Sequence, residues 1–163
     1  MPLLRKISKP KWYNTPWMPA GQIQADALVD LRTAKNELSV WRVEADESNL
    51  PAVIAALASK TSKIDRLDYV LLDEDALNAV DIKFVKSDGD SPHLDANKKW
   101  HFDLVELTAA KVIEIAKQVK QREHDHQRLF PARVREILRD ALQNDKLERS
   151  AIDPELVSEI GGG

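Results

Sequence analysis

LSVWRVEADESNLPAVIAALASKTSKIDRLDYVLL, residues 38–72, decides the fold. Its first eight residues, 38–45, are rich in β-branched and aromatic side chains and alternate well enough to form a half-buried strand. The chain then breaks at DESNLP. There Ser48 or Asn49 can cap a helix, and Pro51 suits a first turn in which a missing N–H costs nothing. Leu50, Val53, Ile54 and Leu57 follow at i, i+3, i+4 and i+7, one apolar stripe on a helical period. Segment 67–72, LDYVLL, is short and apolar enough for a largely buried strand. Two strands joined by a helix of about ten residues predict a right-handed crossover, with the strands parallel and adjacent.

Beyond this unit the pattern thins. Residues 76–80 read as a short helical turn, 82–86 (IKFVK) as a strand, and 87–99 (SDGDSPHLDANKK) as a polar loop. Residues 100–107 form another strand, and Thr108 caps a long helix in which Val112, Ile115, Ala116 and Val119 keep the helical spacing. Proline disfavours helical geometry in the residue before it, so that helix ends before Phe130 and a second begins at Pro131, with Val134, Ile137, Leu138, Ala141 and Leu142 on one face. The expected fold class is α+β: a small mixed sheet with a strand-helix-strand unit, packed by two C-terminal helices. An extended N-terminal arm (1–20) precedes a single α+β domain (21–150), and a short acidic tail (151–163) follows.

A chain of 163 residues, 43% hydrophobic, is about one domain and can bury a proper core. No run of 18 or more apolar residues is present to span a bilayer, and MPLLRKISKPKW carries charges where an export signal needs its apolar segment. Cysteine is absent, which excludes disulfides, thiol nucleophiles and thiolate metal sites and fits a reducing compartment; the expected location is cytoplasmic. The net charge of −3 is uninformative, but its distribution is not. Residues 1–17 hold Arg5, Lys6, Lys9 and Lys11 without an acid, and residues 150–163 hold Asp153, Glu155 and Glu159 without a base.

Three patterns invite a catalytic or nucleic-acid reading. His124 and His126 fall in the expected last helical turn before Pro131, where residues two apart point to nearly opposite sides and cannot grip one ion together. Two helices around Pro131 could form a DNA-binding helix-turn-helix, yet Glu136 and Asp140 stand among Arg133, Arg135 and Arg139, the mixed pattern of a solvated surface. Glu44, Asp46 and Glu47 end one strand, and Asp73, Glu74 and Asp75 end the other. Converging, they could hold magnesium for chemistry on phosphate esters or nucleic acid. Carboxylates at those places more commonly cap helices, which is the expected role. Asp81 and Lys83 form a weak D-x-K, and Asp88, Gly89 and Asp90 do not fit a calcium loop. No catalytic residue, metal ligand or cofactor is therefore expected. Gly161, Gly162 and Gly163 resemble the tail of ubiquitin-like proteins over three residues only, after a helical rather than an extended pattern.

The most unusual composition is SKPKWYNTPWMP, residues 8–19. Pro10, Pro16 and Pro19 block helix and central-strand pairing, so the arm is expected to be extended. Burying a large apolar side chain is worth roughly 1.5–3 kcal/mol, so its rings need cover. Folding back over its own domain is the main expectation, with docking of a partner second and stacking on single-stranded nucleic acid third. Trp17, nearer the folded body, is expected to be structural. Trp12 and Tyr13, with Lys9 and Lys11, form the expected interaction surface together with what Trp17 leaves exposed. The expected function is a non-catalytic protein-interaction or regulatory module, an antitoxin-like partner protein, with a magnesium-dependent enzyme as the alternative.

Overall fold

The computed structural model describes residues 1–161; of the terminal glycines, Gly162 and Gly163 lie outside them. Six strands form one sheet: β1 (Leu3–Ile7), β2 (Leu38–Arg42), β3 (Leu67–Leu72), β4 (Lys83–Lys86), β5 (His101–Val105) and β6 (Gln127–Leu129). Their spatial order is β4-β5-β2-β1-β3-β6, and every neighbouring pair is antiparallel. The α+β class holds. The strand-helix-strand unit is also present, since α1 (Leu50–Ala58) links β2 to β3. These two strands do run parallel, but they are not adjacent: β1 lies between them, antiparallel to both. The sheet is thus antiparallel throughout rather than mixed.

The inserted strand comes from what the sequence presented as an unstructured arm. All the arm's helix-breaking prolines after Pro2 fall at position 10 or later, so LLRKI is free to donate to a ladder on each side. Its side chains alternate. Leu3 and Ile7 enter one core and Leu4 the other, the two-residue period of a strand buried on both faces. The arm's remainder begins with a 3-10 turn, Lys9–Trp12.

The two cores define three layers. On one face α1, α5 (Pro131–Gln143) and α6 (Pro154–Gly161) cover Leu4, Trp41, Leu67 and Tyr69. On the other, α2 (Glu74–Ala79), α4 (Ala109–Gln121) and the 3-10 segment Ala25–Leu31 cover Leu3, Val40, Val70 and Leu104. The long C-terminal helices α4 and α5 therefore take opposite faces of the sheet. Among the described residues no helix is long and apolar enough to cross a membrane.

Two segments differ from expectation. The loop at 87–99 contains α3 (Leu94–Lys99), opened by an unusual cap: the His93 ring Nδ1 accepts the Ala96 N–H at 3.2 Å. Residues 122–130 are not a last helical turn. A 3-10 turn, Glu123–Asp125, leads into β6, a three-residue edge strand on β3. Phe130 is extended at φ −76° and ψ 159°, as its proline neighbour requires, and α5 starts at Pro131 as expected.

Candidate functional site

Three charged side chains hold the chain from Ser8 to Asn14. Asp30, from the 3-10 segment under the sheet, takes the Trp12 indole N–H and the Ser8 N–H on the same carboxylate oxygen, both at 2.8 Å. Its main-chain carbonyl accepts Arg5 Nε and Nη2 at 3.0 and 2.8 Å. Asp68, on β3, accepts the Lys9 N–H at 2.9 Å and a two-pronged contact from Arg128 at 2.7 and 3.0 Å. Burial would raise this carboxyl, but the bonds from Arg128 and Lys9 and the charges of Arg128 and Arg66 outweigh it and hold it below the usual range. Lys120 of α4 donates to the Trp12 carbonyl at 2.6 Å and to Asn14 Oδ1 at 2.8 Å, and pairs with Glu123 at 2.5 Å. Each buried charge is thus answered, which is the condition for its tolerance in a core.

These anchors reverse the expected division of the rings. Trp12 is 1% exposed, set edge-on against His126 with centroids 6.3 Å apart. Trp17 is 78% exposed and Tyr13 42%. The arm does fold back over its own domain, but Trp12 is the structural ring and Trp17 the free one. Strand β1 explains the reversal, because it brings residue 8 to the core before the loop begins. The Lys9 and Lys11 side chains are partly covered, and the Lys11 ammonium lies 4.0 Å from Asp30.

The loop carrying Trp17 is closed upon itself. Asn14 Nδ2 donates to the Pro19 carbonyl at 2.9 Å, Gln24 Nε2 to the Tyr13 carbonyl at 2.6 Å, and the Met18 N–H to the Thr15 carbonyl at 3.1 Å. With Pro16 and Pro19 restricting φ, an exposed indole is displayed on a backbone tied at both ends.

The acids at the strand ends are engaged elsewhere. Asp46 accepts the Ser48 N–H at 3.0 Å, and Asp73 caps α2 by accepting the Asp75 N–H at 3.1 Å. Glu74 pairs with Arg42 at 2.9 Å. Because β1 separates β2 from β3, the two acid clusters do not end neighbouring strands. Asp81 sits in a left-handed turn after α2 with Lys111 at 3.6 Å. Among the described residues no group of three His, Asp or Glu side chains could hold a metal ion.

The histidines occupy separate environments. His124 is exposed. His126 is buried and donates from Nε2 to the Val119 carbonyl at 2.8 Å, leaving its Nδ1 without a partner. His101 stands edge-on to Trp41, 4.8 Å between centroids, with Nδ1 2.8 Å from Ser87 Oγ. Burial pushes the pKa of His93, His101 and His126 below the ordinary 6.5. Each stays neutral in the folded chain at a pH where the unfolded chain already binds a proton. Stability is therefore full above about pH 6.5 and falls as pH drops below it. Asp68 adds a loss in the same direction further down, as pH falls below the ordinary carboxylate range. The thermal midpoint is expected to decline from about pH 7 to about pH 5; a flat or rising profile would contradict this.

The anchors Asp30, Asp68, Lys120 and Arg128 were not singled out by sequence reasoning. A signal existed for two of them: Asp68 interrupts an apolar strand, and Lys120 lies four residues beyond Ala116 on the buried side of α4. No protein-family model, curated protein or solved structure matches this chain. What defines it is a three-layer α+β fold with a six-stranded antiparallel sheet and a tied, tryptophan-tipped loop.

Proposed function

We propose that the protein is a non-catalytic interaction module that docks a protein partner through Trp17 and Tyr13. The carrying observation is the 78% exposure of Trp17 on a loop closed by hydrogen bonds. A largely exposed indole gains little for folding, whereas covering a large apolar side chain at an interface is worth roughly 1.5–3 kcal/mol. A pre-ordered backbone also lowers the entropy lost on binding. Lys9 and Lys11, on the turn leading into the loop, favour an acidic rim on the partner. Regulation of that partner, in the manner of an antitoxin, is the form such a module would take. Of the strand-end acids, Asp73 caps α2, Asp46 closes a turn on the Ser48 N–H and Glu74 pairs with Arg42, which supports interaction over magnesium chemistry.

The test compares the full chain with Trp17→Ala as baits for partner capture. The expected result is unchanged thermal stability, within about 0.5 kcal/mol for a surface site, together with loss of a partner that the unaltered chain retains. Retention of the same partner by Trp17→Ala would rule the loop out as the docking element.

A further inference from the structure

On the sheet face opposite Trp12, α1 and α5 bound a cleft of about 510 Å3. That volume lies within the range of small-molecule sites. Pro51 and Ala52 form one wall and Ile137 and Ala141 the other, and His93 reaches the cleft from the turn before α3.

His93 carries the argument. The residue is 3% exposed, yet only one of its ring nitrogens is engaged within the described residues. Nδ1 accepts the Ala96 N–H, so it presents a lone pair and the ring proton resides on Nε2. The Nε2–H donor makes no hydrogen bond within the described residues, and the ring lines the cleft. This nitrogen is not among the fully buried unpartnered atoms, so the little exposure the residue keeps leaves its donor open to whatever enters the cleft. Burial pushes the imidazole's pKa down, opposed in part by Asp95, which keeps the ring neutral and this tautomer fixed. Beside it Lys146 lines the same cleft, close enough for its charge to act on the ring. A fixed neutral donor next to an ammonium, above four apolar side chains, is complementary to a ligand with an anionic head and an apolar body.

We infer that the cleft between α1 and α5 binds a small organic carboxylate, whose head takes the His93 Nε2–H and the Lys146 ammonium while its body lies against Pro51, Ala52, Ile137 and Ala141. Arg133, at the other end of the α5 wall, is already paired with Glu136 at 2.9 Å. Asp140 is the one acid of the lining and opposes a carboxylate, so it sets an upper limit on affinity that its removal lifts. This site is separate from the Trp17 loop, and Trp17→Ala leaves it unchanged.

The experiment is an amide NMR titration of the full chain with phenylacetate, and with phenylethanol as the uncharged counterpart. Saturable shifts are expected around residues 51–52, 93–96 and 137–146, with the alcohol weaker by about tenfold, the scale of one hydrogen bond to a charged group. His93→Asn retains a side-chain oxygen able to accept the Ala96 N–H, while its amide donors sit on a shorter side chain and do not reach the Nε2 position. Lys146→Met retains the stem without the charge. Each is expected to weaken phenylacetate by about tenfold in a chain that still melts cooperatively, and Asp140→Asn to tighten it. No saturable shifts, shifts centred on another part of the chain, equal binding of the alcohol, or unchanged affinity in both His93→Asn and Lys146→Met would each overturn the assignment.

Discussion

Deletion of residues 2–8 is expected to abolish folding altogether, rather than yield a domain that has merely lost an arm. Strand β1 is an interior strand, with β2 hydrogen-bonded on one side and β3 on the other. Leu3 and Leu4 are both 0% exposed and belong to opposite cores, so the deletion opens both layers at once. Truncating one buried leucine to alanine costs about 2–5 kcal/mol, and total stability of a domain is about 5–15 kcal/mol. Losing three buried apolar side chains and two ladders exceeds that reserve. The remaining halves of the sheet, β4-β5-β2 and β3-β6, would also present unpaired edges, which favours aggregation. Circular dichroism and amide NMR of the shortened chain should show no cooperative melt. A cooperative transition within a few degrees of the full chain would mean that β1 is dispensable. Leu4→Ala gives the graded version, with an expected loss of about 2–5 kcal/mol in denaturant unfolding.

Why β1 escaped sequence reasoning while β2, α1 and β3 did not is a matter of which side chains report burial. In α1 the stripe through Val53 and Ile54 identifies the buried face because every charged neighbour is off the helix. The helix start was also legible, but its chemistry was not. Asn49 is the N-cap residue, yet its side chain bridges β2 instead, accepting the Glu44 N–H at 2.8 Å and donating to the Arg42 carbonyl at 3.0 Å. In LLRKI the central residues are Arg5 and Lys6, which read as solvent. Arg5 points to a buried side only because the Asp30 and Ser39 carbonyls, 25 and 34 residues away, accept its guanidinium. Burial pushes its pKa down, with Asp30 opposing, and no local pattern announces such partners. Strand β6 fails for another reason: three residues give too short a period to recognise. The site shared these limits. Asp73 was correctly read as a cap, since capping is decided by residues two or three apart, whereas Asp46 closes a turn on Ser48 and Asn49 is the N-cap residue of α1. The roles of Trp12 and Trp17 were decided by Asp30 and Lys120, which lie 18 and 108 residues from Trp12.

Trp12→Ala is accordingly expected to be the most damaging single substitution in the N-terminal segment. Removing a buried indole costs about 3–5 kcal/mol through lost burial and the cavity left behind. The hydrogen bond to Asp30 is lost as well, and one carboxylate oxygen is left with only the Ser8 N–H. His126 loses the ring against which it stands. In a chain of this size each kcal/mol moves the thermal midpoint by about 2–4 °C, so a fall of roughly 10 °C or more is expected. Trp12→Phe separates the contributions, because it keeps most of the apolar volume and removes the donor; the expected loss is about 1–3 kcal/mol, the range for a buried acceptor left under-satisfied. Lys120→Met should fall between them, since it strips donors from the Trp12 carbonyl and Asn14 while its stem still packs. The order Trp12→Ala, Lys120→Met, Trp12→Phe, with Trp17→Ala near zero, is specific to an anchored segment with one buried and one displayed ring. A Trp12→Ala protein that melts like the unaltered chain would show that the anchor does not hold the segment, and the pre-ordered loop proposed for docking would lose its support with it.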